Sequence, residues 1–191
     1  MILGITGISG SGKHTAADFF AQRGWKILDT DKIAHNLYRP YTHLWKLVKD
    51  HFGEGILGKD DKIDRQKLGA IVFGDKTGEK IEELNRLTHP EVLRFLENEV
   101  HSLNRKNRNA VILGALWKEL GMKEVCHKIL LIKAGEALTF ERIKKRDGVN
   151  FDLYEMRIKN QTEIPDPDFT IENEADFQAF YKGLNEIIKT I

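Results

Sequence analysis

The strongest constraint on this chain is the passage from an apolar run, Met1-Ile2-Leu3-Gly4-Ile5-Thr6, straight into the glycine-rich stretch Gly7-Ile8-Ser9-Gly10-Ser11-Gly12-Lys13. Behind it Ala16, Ala17, Phe19 and Phe20 recur at helical spacing as far as Gly24, a residue suited to stopping a helix. The order is strand, loop, helix. Gly7-x4-Gly12-Lys13 has the Walker A spacing, in which glycines let successive backbone N–H groups converge on phosphate oxygens while the lysine neutralises the terminal phosphates. Out of context such a pattern is often a loose turn, but the flanking strand and helix are the context the mechanism requires. Trp25-Lys26-Ile27-Leu28 then makes a second short strand ending on Asp29-Thr30-Asp31. The resulting βαβ unit brings acidic residues to the carboxyl end of a strand, the edge at which open α/β sheets bind ligands.

The loop pattern breaks at position 14. A Ser or Thr normally supplies a hydroxyl to Mg²⁺ there, and this chain has His14. Thr15 keeps a hydroxyl, yet one residue along a helix turns the side chain by about 100°, so it does not simply replace a group at 14. Imidazole is a poor ligand for hard Mg²⁺ and better suited to softer transition metals. Phosphate binding by Gly10, Ser11, Gly12, Lys13, His14 and Thr15 is therefore expected. No protein metal ligand is assigned.

From about 31 to 108 the pattern is mostly helical: Asp31 to Tyr38, Thr42 to His51, Asp64 to Phe73, Gly78 to Leu87 and Pro90 to Asn104. Pro90 suits a first helical turn, with Val92, Leu93, Phe95, Leu96, Val100 and Leu103 as an apolar face. Strands return at Ala110 to Leu113, Lys128 to Lys133 and Phe169 to Ile171. Helices are predicted over Gly135 to Arg146, Asp152 to Gln161 and Ala175 to Ile188, with Pro165-Asp166-Pro167 marking a loop. At 191 residues the length favours a single domain, 1–191, with the helices of 31–108 as an insertion between strands.

Charge excludes two classes of partner. The 30 Lys plus Arg offset 29 Asp plus Glu to a formal +1, which gives no electrostatic case for nucleic acid or an anionic membrane. One cysteine, Cys126, rules out an internal disulfide framework, and no charged-then-apolar leader or long apolar run is present, so the cytoplasm is the expected compartment. Asn160-Gln161-Thr162 is then a chance match to a glycosylation triplet.

Taken together, Gly4-Ile5-Thr6-Gly7-Ile8-Ser9-Gly10-Ser11-Gly12-Lys13-His14-Thr15, Leu28-Asp29-Thr30-Asp31-Lys32-Ile33-Ala34-His35, Phe52-Gly53, Ile63-Asp64-Arg65, His89-Pro90, Glu119 with Gly121, Arg142-x3-Arg146-Asp147, Arg157-Ile158 with Gln161, and Asp168 to Asn173 resemble the dephospho-coenzyme A kinase family in order and spacing. That resemblance implies an α/β fold with a P-loop NTPase-like core, a parallel sheet flanked by helices, a helical substrate-binding region at about 31–108 and a short lid at about 140–162. The implied activity is transfer of the γ-phosphoryl group of ATP to the 3′-hydroxyl of dephospho-CoA. Where the family carries an acid, a proline and an aromatic after its third strand, this chain has Leu113, Ala115 and Lys118. With His14, two polar groups near the metal are thus replaced, and Mg²⁺ is expected to arrive mainly with ATP, with Asp29, Asp31 or Glu119 the acids left to assist.

The resemblance makes Asp31 the candidate base, with Asp29 next in line; the structural alternative for Asp31 is a helix N-cap. Arg142 and Arg146 lie one helical turn apart and share a face, as a lid contacting nucleotide or the transferring phosphate requires, the alternative being a solvated basic face with Lys144 and Lys145. Catalysis is thus assigned to Lys13, Asp31 and Arg142, and nucleotide binding to the loop and Arg146. Substrate binding is assigned to Asp31, His35, Arg65 and His89. Arg65 is set against a surface ion pair with Asp64, and the two histidines against packed or capping roles. His43, His51, His101 and His127 lack metal-ligand spacing. Trp25, Trp45 and Trp117 read as core or interface anchors, and Cys126 as a packed thiol. The competing functional readings are a degenerate P-loop homologue that binds nucleotide without turnover, and a kinase of another nucleotide-like substrate.

Overall fold

The structure is a computed structural model describing residues 1–75, 77–114, 122–159 and 166–191. Ala115, Trp117, Lys118, Glu119, Gly121, Asn160-Gln161-Thr162 and Pro165 lie outside the described residues, as does the side chain of Arg157. In chain order the elements are β1 (Ile2–Thr6), α1 (Lys13–Ala21), β2 (Lys26–Asp29), α2 (Thr30–Leu37), α3 (His43–Phe52), single 3₁₀ turns at Glu54–Ile56 and Lys59–Asp61, α4 (Arg65–Gly74), α5 (Glu79–Arg105), β3 (Ala110–Leu113), α6 (Met122–Val125), β4 (Lys128–Lys133), α7 (Glu136–Asp147), α8 (Phe151–Lys159), β5 (Phe169–Glu172) and α9 (Phe177–Thr190). They divide into two compact units, Met1–Asp29 with Asn98–Ile191, and Thr30–Glu97.

The first unit holds a parallel five-stranded sheet in the order β2-β3-β1-β4-β5. Its central strand β1 is buried at every position, as a parallel strand covered on both faces must be, which is why it reads as a continuous apolar run rather than an alternating one. Leu3, Ile5, Val111, Leu113, Leu130 and Ile132 pack with Phe19 and Phe20 of α1 and with Phe180, Leu184 and Ile187 of α9. Each such side chain contributes about 1.5–3 kcal/mol on burial. Trp25 belongs to this core, packing its ring on Phe20.

The second unit is helical and has its own core, Leu44, Val48, Ile56, Leu68 and Val72. Trp45 is buried beside it and donates its indole N–H to Asp61 O at 2.7 Å. Asp64 does not enter α4 but caps it, accepting from Gln66 N and Lys67 N at 2.9 and 3.2 Å.

Most element ends shift by a residue or two from the sequence expectation, and two differences are larger in consequence. The stretches assigned as two helices, 78–87 and 90–104, are the one helix α5, and Pro90 sits inside it rather than in a first turn. Proline gives no N–H to the carbonyl four residues back, at a cost of about 3 kcal/mol. Burial offsets that loss, because Ile81, Leu84 and Leu87 before the proline pack on the core of the helical unit and Val92 and Leu96 after it are buried. At the carboxyl end α9 begins at Phe177, not Ala175. Ala175 is left-handed with φ 70°, and Asp176 caps the helix through Gln178 N and Ala179 N.

Candidate active site

The loop between β1 and α1 is built on backbone only glycine tolerates. Gly12 takes φ 107°, and a Cβ there would collide with Asn173 Nδ2; Gly10 takes φ 82°, with a Cβ falling 2.8 Å from Thr139 O. Gly12 also stands at the N-cap of α1 and offers no side chain to the first turn, which carries no acid either. The amide groups that a Ser or Asp cap would occupy therefore carry no side-chain cap at the positive end of the helix dipole. That is the arrangement an anion requires.

Lys13 opens α1 and is largely buried, its ammonium donating to Gly7 O at 2.6 Å and Ile8 O at 2.9 Å. The charge is thus carried back over the loop instead of into solvent. Among the described residues, Ser11 Oγ is the one buried side-chain polar atom without a hydrogen-bond partner.

Two side chains from distant sequence brace the loop. Asn173, directly after β5, is 3% exposed and donates from Nδ2 to Ser11 O at 2.7 Å. Its own N–H is anchored on Lys133 O at 2.8 Å. Arg142 of α7 donates from Nη1 to Gly10 O at 3.0 Å and from Nη2 to Asn173 Oδ1 at 3.3 Å. Helix α7 is itself held to α8 by the Thr139–Tyr154 hydroxyl pair at 2.6 Å and by Phe140 against Phe151 and Tyr154. Arg142 thus touches the phosphate loop. Arg146, one turn on, pairs instead with Asp147 through Nε at 2.7 Å and Nη2 at 2.8 Å. In the sequence Asn173 is only the end of the resembling segment Asp168 to Asn173, and no local pattern signals its bracing role.

His14, the residue that breaks the loop pattern, is exposed and sets Nε2 3.4 Å from Oδ2 of Asp29, which is buried at the end of β2. Asp29 lies opposite Leu113 of β3, so the neighbouring strand supplies an apolar side chain there. Thr15 is half-buried.

In the helical unit, Asp31 falls in the first turn of α2, where a carboxylate complements the helix dipole, and it is inside the helix rather than its cap. His35 follows one turn later on the same face. His35, Arg39, Lys62 and Arg65 meet in a cavity of about 540 Å³ floored by Leu68, Val72 and Ile81. Basic and apolar side chains thus line the same cavity. Arg65 forms no pair with Asp64 among the described residues; that carboxylate caps α4 through Oδ1. Tyr38 and Arg39 also line this cavity and were not singled out in the sequence. His89 lies in α5, half-buried, and does not line the cavity.

Elsewhere, histidines serve as partners: Ile2 N donates to His127 Nδ1 at 2.9 Å, while His43 and His51 pair with Glu91 and Glu83. Burial pushes the Cys126 thiol up to about 12, so it is protonated and unreactive near neutrality.

Known proteins resemble the chain along nearly all of its length. The profile of the family described as dephospho-CoA kinase matches residues 1–177. A dephospho-CoA kinase of Fusobacterium nucleatum is 35% identical over 197 residues, covering 100% of this chain and 98% of that protein. Among solved structures, a Thermus thermophilus protein has a TM-score of 0.79 at 28% identity, covering 100% of this chain and 97% of its own. The dephospho-CoA kinase of Campylobacter jejuni has a TM-score of 0.71 at 26% identity, covering 98% and 95%.

Proposed function

The chain belongs to the dephospho-CoA kinase family, and from that premise we propose which of its residues carry the reaction. The enzyme transfers the γ-phosphoryl group of ATP to the 3′-hydroxyl of dephospho-CoA and gives coenzyme A, the last step of its biosynthesis. The hydroxyl oxygen forms a bond to the γ-phosphorus, the bond to the bridging oxygen breaks, and ADP leaves.

One observation supports this most directly: a left-handed, uncapped glycine turn feeding the N-terminus of α1, with Lys13 folded over it. Phosphoryl transfer needs positioning and charge neutralisation more than covalent chemistry. The amides of Gly10 to His14 cradle the phosphates. Lys13 exchanges its carbonyl partners for the terminal phosphate oxygens and neutralises them. Arg142 keeps the loop in register through Gly10 and Asn173, close to where charge develops. Asp31 accepts the proton of the attacking hydroxyl, with Asp29 as the alternative acceptor. Arg65 and His35 hold the acceptor's phosphates along the basic side of the cavity, and Arg146 contacts nucleotide after leaving Asp147. His89 shapes the acceptor region.

A divalent ion is generic for such kinases, and its chemistry when bound is to offset charge on the β and γ phosphates. His14 stands where the usual loop has a hydroxyl ligand and Leu113 faces Asp29 across the sheet, so Mg²⁺ would be carried mainly with ATP, with Asp29, Asp31 or Glu119 the acids left to assist. The proposed partners are small molecules alone, without nucleic acid or membrane. No helix among the described residues is long and apolar enough to cross a bilayer, and the proposed compartment is the cytoplasm.

The deciding assay is ATP consumption with and without dephospho-CoA, with the product's phosphate located by mass spectrometry. Stoichiometric ADP and coenzyme A are expected. Nucleotide binding without consumption would favour the non-catalytic reading, and consumption with a different acceptor alone would favour another kinase.

A further inference from the structure

We propose that His14 Nε2 and Asp29 Oδ2 form a two-point clasp for the nucleotide's divalent ion, selecting a first-row transition ion such as Mn²⁺ or Co²⁺ over Mg²⁺. The proposal rests on the kinase reading for the presence of nucleotide phosphates. Its geometric basis is the 3.4 Å between the two atoms. That is longer than the roughly 2.7–2.9 Å of a good charge-assisted hydrogen bond. It is close to the bite of one ion: two donors each about 2.0–2.2 Å from a shared centre lie roughly 2.8–3.1 Å apart at octahedral and 3.3–3.6 Å at tetrahedral angles, so a small rotation of the exposed imidazole brings both onto one ion.

Position supports the same reading. His14 follows the phosphate-binding lysine, at the place where the usual loop carries a hydroxyl ligand for the nucleotide's metal. Its side chain is 62% exposed and so reaches the ligand space, whereas the Asp29 side chain, 9% exposed, is fixed by the end of β2. A rigid carboxylate and a mobile imidazole make a site that needs no backbone rearrangement. Across the sheet Leu113 faces Asp29 with an apolar side chain, so the proposed share of the described residues is one nitrogen and one oxygen, with phosphate oxygens and water as further donors. Mg²⁺ gains little from an imidazole nitrogen; Mn²⁺ and Co²⁺ accept mixed nitrogen and oxygen shells readily. The residue that removes the hard-ion ligand thus supplies a softer one in its place.

The test uses the full chain with Mn²⁺ and a non-hydrolysable ATP analogue, read by pulsed electron paramagnetic resonance. Wild type should show coupling to an imidazole nitrogen that disappears in His14→Gln and in His14→Ser. In parallel, the analogue's Kd should be about tenfold tighter with Mn²⁺ than with Mg²⁺ in wild type and nearly equal for the two ions in His14→Ser. No nitrogen coupling in wild type, coupling that survives both substitutions, or an ion ratio unmoved by His14→Ser overturns the clasp. Coenzyme A formation is scored separately. Product without coupling leaves the kinase reading and removes the clasp, while coupling without product under any ion keeps the clasp and removes the kinase reading.

Discussion

Replacing Asn173 by alanine removes one brace of the phosphate loop and takes a partner from the other, Arg142, which keeps only its bond to Gly10 O. The amide donates to Ser11 O at 2.7 Å and accepts from Arg142 at 3.3 Å, and the residue is 3% exposed, so water does not substitute for it. Leaving the buried Ser11 carbonyl without a donor costs about 1–3 kcal/mol, and losing the longer arginine bond about 0.5–1.5 kcal/mol, for a total near 2–4 kcal/mol. In a chain of this size each kcal/mol moves the melting temperature by roughly 2–4 °C, so a drop of about 5–15 °C is expected by calorimetry. The loop also loses pre-organisation, and the KM for ATP should rise about tenfold while the KM for dephospho-CoA holds. Asn173→Asp separates the two bonds: it keeps the acceptor for Arg142 but sets a carboxylate against the Ser11 carbonyl, and ATP affinity should still fall. A melting temperature within about 2 °C of wild type together with an unchanged KM for ATP in Asn173→Ala would refute the bracing argument.

Lys13→Ala should abolish ATP-dependent turnover, since no other residue of the loop carries a positive charge; turnover at the wild-type level would remove the phosphate assignment. Asp31→Asn keeps a residue tolerated in the first turn of α2 and should lower kcat by about 10²–10⁴ with small changes in KM, whereas a normal kcat shifts the base to Asp29. Arg65→Ala should raise the KM for dephospho-CoA by about 10- to 100-fold and leave that for ATP alone, the loss of one charge-assisted contact; equal effects on both substrates would argue against an acceptor-side role. Because burial raises the Cys126 pKa to about 12, the thiolate fraction grows only toward that pH, and alkylation by iodoacetamide at pH 8 should lag well behind a free thiol until the chain is unfolded. Fast modification of folded protein would contradict that burial.

The parts that the sequence makes legible are those set by near neighbours. The phosphate loop, α1 and β2 follow from glycine spacing and an apolar run. β3 and β4 follow from short apolar stretches, because strands buried on both faces leave no polar alternation to confuse them. Sequence propensity divides α5 at Pro90 because it weighs the proline and cannot weigh the tertiary packing that carries the helix through it. The bracing of the loop was invisible for another reason: Asn173 reaches Ser11 across 162 positions and Arg142 reaches Gly10 across 132. No window of local pattern contains such a pair. His14 was conspicuous as a substitution, but its approach to Asp29 depends on where α1 and β2 finish, which only the folded sheet fixes.

The place of β1 in the sheet also sets a timetable for synthesis. Residues 2–6 form the middle strand, yet their hydrogen-bonding neighbours are β3 and β4, and the pairing begun by Met1 with Asn109 spans 108 positions. During translation this apolar run has no strand to join until roughly a hundred further residues have been made, at about 5–20 residues per second. The phosphate loop that hangs from it stays unformed for the same interval. Closure of such distant strands comes late and leaves an apolar segment uncovered until the partners are made.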